Sequence, residues 1–254
     1  MIPYLQAPHW QIAGITVQFF GLMVLCALSF GFWVVYWRAR TSLVPRVQAL
    51  EATMWVVLVS LVMSHVVAII AYRPADFLRD PMLLLDVTGD MSNMGGMLGG
   101  IACILVFRRV YGWSRPQMLS FFDLITWGFV FGHFFGRLGC TFAHDHVGIP
   151  SQAFIAVRFP DGPRLDLGLI EWLWIDICIV AFLILSKRPR NPGFYTLLFL
   201  FAHGIVRFLL DFLRVGDERF FGLTPAQYAC GALVGGVVWI AGRHRRAGTA
   251  HRPG

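Results

Sequence analysis

The sequence predicts an all-α, polytopic membrane protein with seven transmembrane helices, its N-terminus outside and its C-terminus in the cytoplasm. Composition predicts the class, because 57% of the 254 residues are hydrophobic and only 14% are charged, as in a chain whose solvent is lipid. Spacing predicts the same class, because apolar stretches of the roughly 20 residues that cross a bilayer recur along the sequence. We therefore expect residues 1–254 to form a single integral membrane domain.

Seven apolar segments are predicted to span the membrane: 15–37, 52–72, 92–110, 118–136, 168–186, 194–214 and 224–242. No Lys or Arg precedes Arg38, so the first segment lacks the basic leader of a cleavable signal peptide and is expected to remain. Prolines and alternating charges after the second segment indicate a short folded excursion. The longest connection, 137–167, is expected to form a loop region at the outer face.

The basic residues predict the orientation. They cluster in the connections after segments one, three and five and in the tail: Arg38, Arg40, Arg46, Arg108, Arg109, Arg115, Lys187, Arg188, Arg190, Arg243, Arg245, Arg246 and Arg252. The positive-inside rule puts these regions in the cytoplasm. Topology and anionic lipid headgroups thus explain the net charge of +7, and no nucleic-acid partner is indicated.

Ionisable side chains inside membrane segments are costly, which makes them candidates for function. His203, Arg207, Asp211 and Arg214 follow one another at spacings of four and three in the sixth segment, so they share one helical stripe. A structural ion pair between Arg207 and Asp211, with Arg214 reaching the interface, is the simpler alternative. Arg137 follows the fourth segment near the same face, and arginines meeting there would suit a lipid phosphate.

Three motifs together resemble bacterial prolipoprotein diacylglyceryl transferase. They are GRLG at 136–139, followed by Asp145 and Gly148, MSNMGGMLGG at 91–100, and GIVRFLLDFLR at 204–214. The similarity spans most of the chain and includes QFFGLM at 18–23 and LTPAQ at 223–227.

The resemblance implies a function in the bacterial inner membrane. Members of that family transfer the diacylglyceryl group of phosphatidylglycerol to the lipobox cysteine thiol in the signal-peptide region of a preprolipoprotein, and they release glycerol 1-phosphate. It implies no cofactor and no metal. The alternative is an inactive or re-purposed paralogue that binds lipid or lipoprotein at the outer face.

Site roles follow from the same resemblance. Arg137 and Arg207 match the arginines that hold the phosphate, and Asp211 and Arg214 match the acid and second arginine of the sixth helix. Asp145 stands where glutamate is usual and is expected to orient the phosphate or the arginines as a catalytic residue. The substrate-binding set also includes small residues and one histidine: Gly95, Gly96, Gly136, Gly139, Gly148 and His144. Glycines 95 and 96 have a simpler explanation, close packing of helices.

The chain also departs from the family pattern. The family's motif histidine is Met94, the asparagine after GRLG is Cys140, and the tyrosine before GLM is Phe20. Ser64 and His65 occupy a position where Gly-Gly-Arg is usual, and of the stretch before the fifth helix only Glu171 is kept, where it could brace Arg137.

Two histidines are candidates for the missing base. His203 precedes Arg207 by one turn, and His144 neighbours Asp145. Imidazole titrates near neutrality, so either could take a thiol proton. The simpler alternatives are a hydrogen-bonded helix histidine for His203 and a solvated loop residue for His144.

The sequence raises two further hypotheses, a metal site and a transporter. Cys140, His144, Asp145 and His146 supply metal-ligand types within seven residues, but without a recognised ligand spacing. A transporter is disfavoured because the charged residues gather towards one face and no convincing internal repeat is seen.

Overall fold

The computed structural model describes residues 1–12, 15–86, 91–216 and 219–249. The chain forms two compact units, one made of residues 1–33 and 126–254 and the other of residues 34–125. Part of the basic tail, including Arg252, lies outside the described residues, as do the side chains of Arg243, Arg245 and Arg246.

Seven long helices and one short helix account for most of the described chain. They are α1 (Phe19–Arg38), α2 (Arg46–Tyr72), α3 (Pro74–Arg79), α4 (Asn93–Val110), α5 (Arg115–Ala143), α6 (Leu167–Leu185), α7 (Phe194–Leu210) and α8 (Pro225–Thr249). Within the described ranges, five are long and apolar enough to cross a membrane: α1, α2, α5, α6 and α7. Ile177, Ile184 and Trp239 are more than half exposed, as lipid-facing side chains are.

The predicted segments and the helices correspond in order, but several boundaries differ. Helix α2 begins at Arg46 rather than at 52, α7 ends at Leu210 rather than at 214, and α8 continues to Thr249. Residues 15–18 form a strand rather than the start of α1. Helix α5 continues to Ala143, so residues 137–143, expected in the outer loop, are helical. The excursion after α2 is confirmed as α3 followed by a 3₁₀ turn at Pro81–Leu85.

The expectation of an all-α fold missed two small sheets. Strands β1 (Ile2–Pro3), β5 (Val157–Phe159), β6 (Gly162–Asp166) and β4 (Val147–Pro150) form one sheet in that order, and β2 (His9–Ile12) pairs antiparallel with β3 (Ile15–Gln18). Strands of two to five residues are too short to show the alternating pattern by which strands are recognised in a sequence. The larger sheet holds the connection between α5 and α6.

Close approach of α4 to α2 organises the unit of residues 34–125. A Cβ on Gly95 would lie 2.4 Å from the carbonyl oxygen of Met63, and one on Gly99 would lie 2.7 Å from the Met63 Cβ. Ser64 Oγ donates to the Ser92 carbonyl over 2.8 Å, and Ser92 caps α4 by accepting from the Gly95 amide. Small residues thus let the two helix backbones meet, as in other membrane helix pairs.

Aromatic side chains and glycines fill the other unit. The rings of Trp127, Phe182 and Tyr195 lie 5.1–5.3 Å from one another and join α5, α6 and α7. On the other side of α5, a Cβ on Gly132 would meet the Ala27 carbonyl oxygen at 2.6 Å. These contacts fix the position of α5, the helix that carries Arg137.

Candidate active site

The sequence predicts Arg137 just past the end of the fourth membrane segment. In the structure it lies within α5, which continues to Ala143. Arg137 is 7% exposed. Its Nε donates to Nε2 of His133, one turn earlier, over 3.2 Å. Because the accepting ring nitrogen must be unprotonated, the His133 ring adds no second positive charge beside the Arg137 guanidinium in this contact.

Glu171 on α6 joins the two arginines that the sequence singles out. Its side chain is 1% exposed. Oε2 lies 2.7 Å from Nη2 of Arg137, an ion pair whose angle falls short of an aligned hydrogen bond, and Oε1 accepts a hydrogen bond from Nη1 of Arg207. The structure thus brings Arg137 and Arg207 to one carboxylate, that of Glu171, which lies between them.

Arg207 also reaches Asp211, as the simpler alternative expected. Its Nη2 lies 3.4 Å from the Asp211 Oδ1. Asp211 is fully buried at the end of α7 and its Oδ2 accepts a hydrogen bond from the Thr224 hydroxyl. We call Arg137, Glu171, Arg207 and Asp211 the arginine–carboxylate network. Two cations and two anions balance in it, which a buried cluster requires.

The LTPAQ stretch supports the network from α8. Thr224 Oγ1 accepts from the Gln227 amide over 3.2 Å, and Gln227 Oε1 accepts from the Thr224 amide over 2.9 Å. This reciprocal pair is a capping box, which satisfies the first amides of the helix. The same threonine hydroxyl fixes Asp211, so the start of α8 orients the carboxylate that pairs with Arg207.

His203 lies on α7 one turn before Arg207. Its ring stacks on Phe199 at 5.0 Å and meets the His133 ring edge-on at 6.0 Å. Its Nδ1 is buried and has no hydrogen-bond partner among the described residues. Burial without a partner is costly for a ring nitrogen, which makes this atom a candidate for contact with a ligand.

The glycines of the GRLG region serve different purposes. A Cβ on Gly139 would lie 3.1 Å from Met23 and Phe20 side-chain atoms of α1, whereas one on Gly136 would meet no atom within 4 Å. A Cβ on Gly148 would lie 3.0 Å from the Leu165 carbonyl oxygen. Gly148 bridges Arg214, so it lets β4 lie against the chain that leaves α7.

His144 braces the outer loop. Nδ1 lies 2.6 Å from Oδ2 of Asp166, Nε2 lies 3.0 Å from the Leu5 carbonyl oxygen, and the ring stacks on Tyr4 at 4.2 Å. Burial raises the pKa of the Asp166 carboxyl, and the hydrogen bond from His144 opposes that rise. Both ring nitrogens are engaged, so the geometry disfavours the solvated loop residue that was the simpler alternative.

Asp145 lies next to His146 in the connection that follows α5. Its side chain is 41% exposed and Oδ1 lies 3.2 Å from Nδ1 of His146. Cys140, Asp145 and His146 place one possible ligand atom each within 4.8 Å of one another. The carboxylate that contacts both Arg137 and Arg207 is that of Glu171, which the sequence also indicates as a brace for Arg137.

Gly95, Gly96 and Met94 belong to the unit of residues 34–125. A Cβ on Gly96 would lie 3.5 Å from its nearest neighbour, the Ser60 carbonyl oxygen, an ordinary contact. Packing against α2 accounts for Gly95, while substrate binding by either glycine stays a prediction.

Some functional residues escaped the sequence reasoning. His133 accepts a hydrogen bond from Arg137 on the same helix, a contact that the sequence analysis does not predict. The spacing of four residues between His133 and Arg137 was the available signal. The role of Thr224 had a signal too, the Thr-x-x-Gln pattern of a capping box.

Comparison with known proteins agrees with the resemblance. The family model for prolipoprotein diacylglyceryl transferase matches residues 8–242, nearly the whole chain.

Three similar proteins are each named phosphatidylglycerol–prolipoprotein diacylglyceryl transferase. That of Azotobacter vinelandii is 29% identical, with 97% of this chain and 98% of the relative covered. The protein of Pseudoalteromonas atlantica is 27% identical over 97% and 93% of the two chains, and that of Aliivibrio salmonicida is 32% identical over 85% and 80%.

Proposed function

The chain belongs to the prolipoprotein diacylglyceryl transferase family, and from that premise we propose that the arginine–carboxylate network is where it holds the phosphate of its donor lipid. The protein transfers a diacylglyceryl group from phosphatidylglycerol to a prolipoprotein. The supporting observation is the convergence of Arg137 and Arg207, from two helices, on the single carboxylate of Glu171.

The two guanidinium groups suit a phosphate in this setting. Each carries five N–H donors in a fixed fork, so an arginine that pairs with a carboxylate retains donors for a second anion. The side chains of Arg137 and Arg207 are 9% and 16% exposed. Water is therefore largely excluded, and each charge–phosphate contact is stronger than at a solvated surface.

The transfer is a displacement at the glycerol carbon. The sulfur of the lipobox cysteine forms a carbon–sulfur bond as the bond from that carbon to the phosphate oxygen breaks, and glycerol 1-phosphate leaves with the electron pair. The arginines stabilise the charge that grows on the departing phosphate. Atoms and electrons balance without a cofactor.

His203 takes the proton of the incoming thiol in this proposal. The thiolate is the nucleophile, and most of a cysteine thiol is protonated at neutral pH. The supporting observations are the buried, unpartnered Nδ1 and the position one turn from Arg207. His144, with both ring nitrogens engaged, holds the loop instead.

The other predicted site residues have separate roles in this proposal. Asp211 fixes Arg207, and Arg214 lies where α7 gives way to the β4 edge. Gly136, Gly139 and Gly148 let the substrate and the neighbouring backbones approach the end of α5, and Gly95 and Gly96 bind the substrate from α4. Asp145 contributes from the loop beyond Arg137.

We also propose the number of membrane spans and the orientation of the chain. Seven helices span the bacterial inner membrane, with the N-terminus outside, the C-terminus in the cytoplasm and the 137–167 region at the outer face. The basic connections support this orientation. The donor lipid and the signal-peptide region of the preprolipoprotein are the two partners.

A transfer assay tests the function. Purified protein in phosphatidylglycerol vesicles receives a lipobox peptide or the same peptide with its cysteine replaced by serine. Peptide mass and released glycerol phosphate are followed. We expect product with the cysteine peptide alone, and a loss of about 100-fold or more in Arg137→Ala.

Arg164→Ala is the matched control. Arg164 pairs with the exposed Asp161 over 2.8 Å, so its removal leaves the network intact. A normal rate in Arg137→Ala, or equal losses in both variants, contradicts the assignment. Lipid bound without transfer would instead indicate the non-catalytic paralogue.

A further inference from the structure

A cluster of three possible metal ligands lies at the end of α5, outside the arginine–carboxylate network. Cys140, Asp145 and His146 each offer one ligand atom, and these atoms lie within 4.8 Å of one another. We propose that this cluster binds a divalent transition-metal ion of the zinc class. The proposal is independent of the transfer reaction.

The distances fit a small coordination sphere. Asp145 Oδ1 and His146 Nδ1 are 3.2 Å apart, close to the edge of about 3.3 Å in a tetrahedron with zinc–ligand bonds of about 2.0 Å. The third atom, Cys140 Sγ, lies within 4.8 Å of both. Because a zinc–sulfur bond is about 2.3 Å long, its distances to the other two ligands need to be only slightly longer than that edge. Three protein ligands leave a fourth position for water, as in open zinc sites.

One ring nitrogen of His146, Nδ1, has no aligned hydrogen bond among the described residues, although it lies 3.2 Å from the Asp145 carboxylate. This atom is buried, and a buried ring nitrogen normally has a partner. A metal ion at the centre of the cluster satisfies that lone pair and separates it from the carboxylate.

The backbone on both sides of the cluster is fixed. The His144 amide donates to the Cys140 carbonyl oxygen, and the Leu167 amide donates to the His146 carbonyl oxygen, each over 2.9 Å. His144 itself is held by Asp166 and Leu5. Such preorganisation lowers the entropic cost of assembling the three ligands.

The ligand types select the class of metal. Thiolate and imidazole favour zinc, cobalt and similar ions over magnesium and calcium, which prefer oxygen. Binding converts the Cys140 thiol to thiolate and releases its proton to solvent. The ion then links Cys140, in the last turn of α5 and three residues beyond Arg137, to His146, the residue before β4.

The alternative is a hydrogen bond from the Cys140 thiol to the Asp145 carboxylate, with no metal. Cobalt titration of the purified full chain in detergent distinguishes the two. A thiolate-to-cobalt charge-transfer band with tetrahedral d–d bands, both displaced by zinc, is expected for the metal site. Their absence overturns the proposal.

Matched cysteine variants identify the ligand. Cys140→Ser should remove the charge-transfer band, and Cys230→Ser, which alters a half-buried cysteine elsewhere, should retain it. His146→Gln should weaken cobalt binding at least tenfold. Thermal unfolding without metal checks that the variants fold. A band that persists in Cys140→Ser, or unchanged affinity in His146→Gln, contradicts the site.

Discussion

Glu171 holds the two essential arginines of the proposal, so its charge matters more than its size. Glu171→Gln keeps the shape and removes the negative charge between two cations. Loss of one partner from a buried ion pair costs about 3–5 kcal/mol, so we expect a clear fall in the thermal unfolding temperature as well as slower transfer. Calorimetry in detergent gives the first quantity and the vesicle assay the second.

Glu51→Gln is the control for this change. Glu51 is exposed and accepts a hydrogen bond from the Tyr111 hydroxyl over 2.5 Å, so its replacement should cost about 1 kcal/mol at most. Equal unfolding temperatures of the Glu171 and Glu51 variants would show that the Glu171 ion pairs do not stabilise the fold.

The base can be tested by the pH dependence of the rate. His203→Gln removes the proton acceptor, so we expect turnover at neutral pH to fall by about 100-fold. The rate of this variant should then rise with pH towards the thiol pKa of about 8.5, because hydroxide supplies the thiolate that His203 no longer produces.

His144→Gln separates a base from a brace. It removes the contacts to Asp166 and Leu5, so stability should fall while turnover keeps the wild-type pH profile. A wild-type profile in His203→Gln would exclude His203 as the base, and the deficit at neutral pH appearing in His144→Gln would transfer the role to His144.

At the scale of elements, two neighbouring glycines of α4 give opposite expectations. Gly95→Ala places a methyl group 2.4 Å from the Met63 carbonyl oxygen, whereas the methyl group of Gly96→Ala lies 3.5 Å from its nearest neighbour. We expect the first to destabilise the fold by about 1–3 kcal/mol and the second to be neutral or stabilising, since alanine favours helix. Equal unfolding temperatures would contradict the close approach of α4 to α2.

The elements also show what a sequence can and cannot predict. Hydropathy located every long helix, because lipid demands continuous apolar stretches. The boundary of α5 was missed because its last turns carry Arg137, Cys140 and Thr141, which read as the start of a loop. The sheet was missed because its strands are only two to five residues long and because β1 pairs with a strand more than 150 residues away, Ile2 with Val157.

The sequence indicates both arginines and the carboxylates Glu171 and Asp211, but not that Glu171 contacts Arg137 and Arg207 together. Arg137 and Arg207 stand out because charge within an apolar segment is expensive. The choice between Glu171 and Asp145 as their partner depends on which helix faces which, information that no local pattern contains.

At the scale of the whole molecule, the orientation can be measured. With the N-terminus outside, alkaline phosphatase fused within residues 151–156, between β4 and β5, should be active, and the enzyme fused after residue 190 should be inactive. Green fluorescent protein at the second position should fluoresce. The reverse pattern would place the candidate site on the cytoplasmic side, away from exported prolipoproteins.

The most direct test of the account is a double-mutant cycle on transfer, measured as kcat/KM for Arg137→Ala, Arg207→Ala and the variant with both changes. Because both arginines contact one phosphate and share the Glu171 carboxylate, the losses should be strongly non-additive, with the double variant only slightly slower than either single one. Losses that multiply would mean that the arginines act independently, and a wild-type rate in either single variant would mean that the phosphate is held elsewhere.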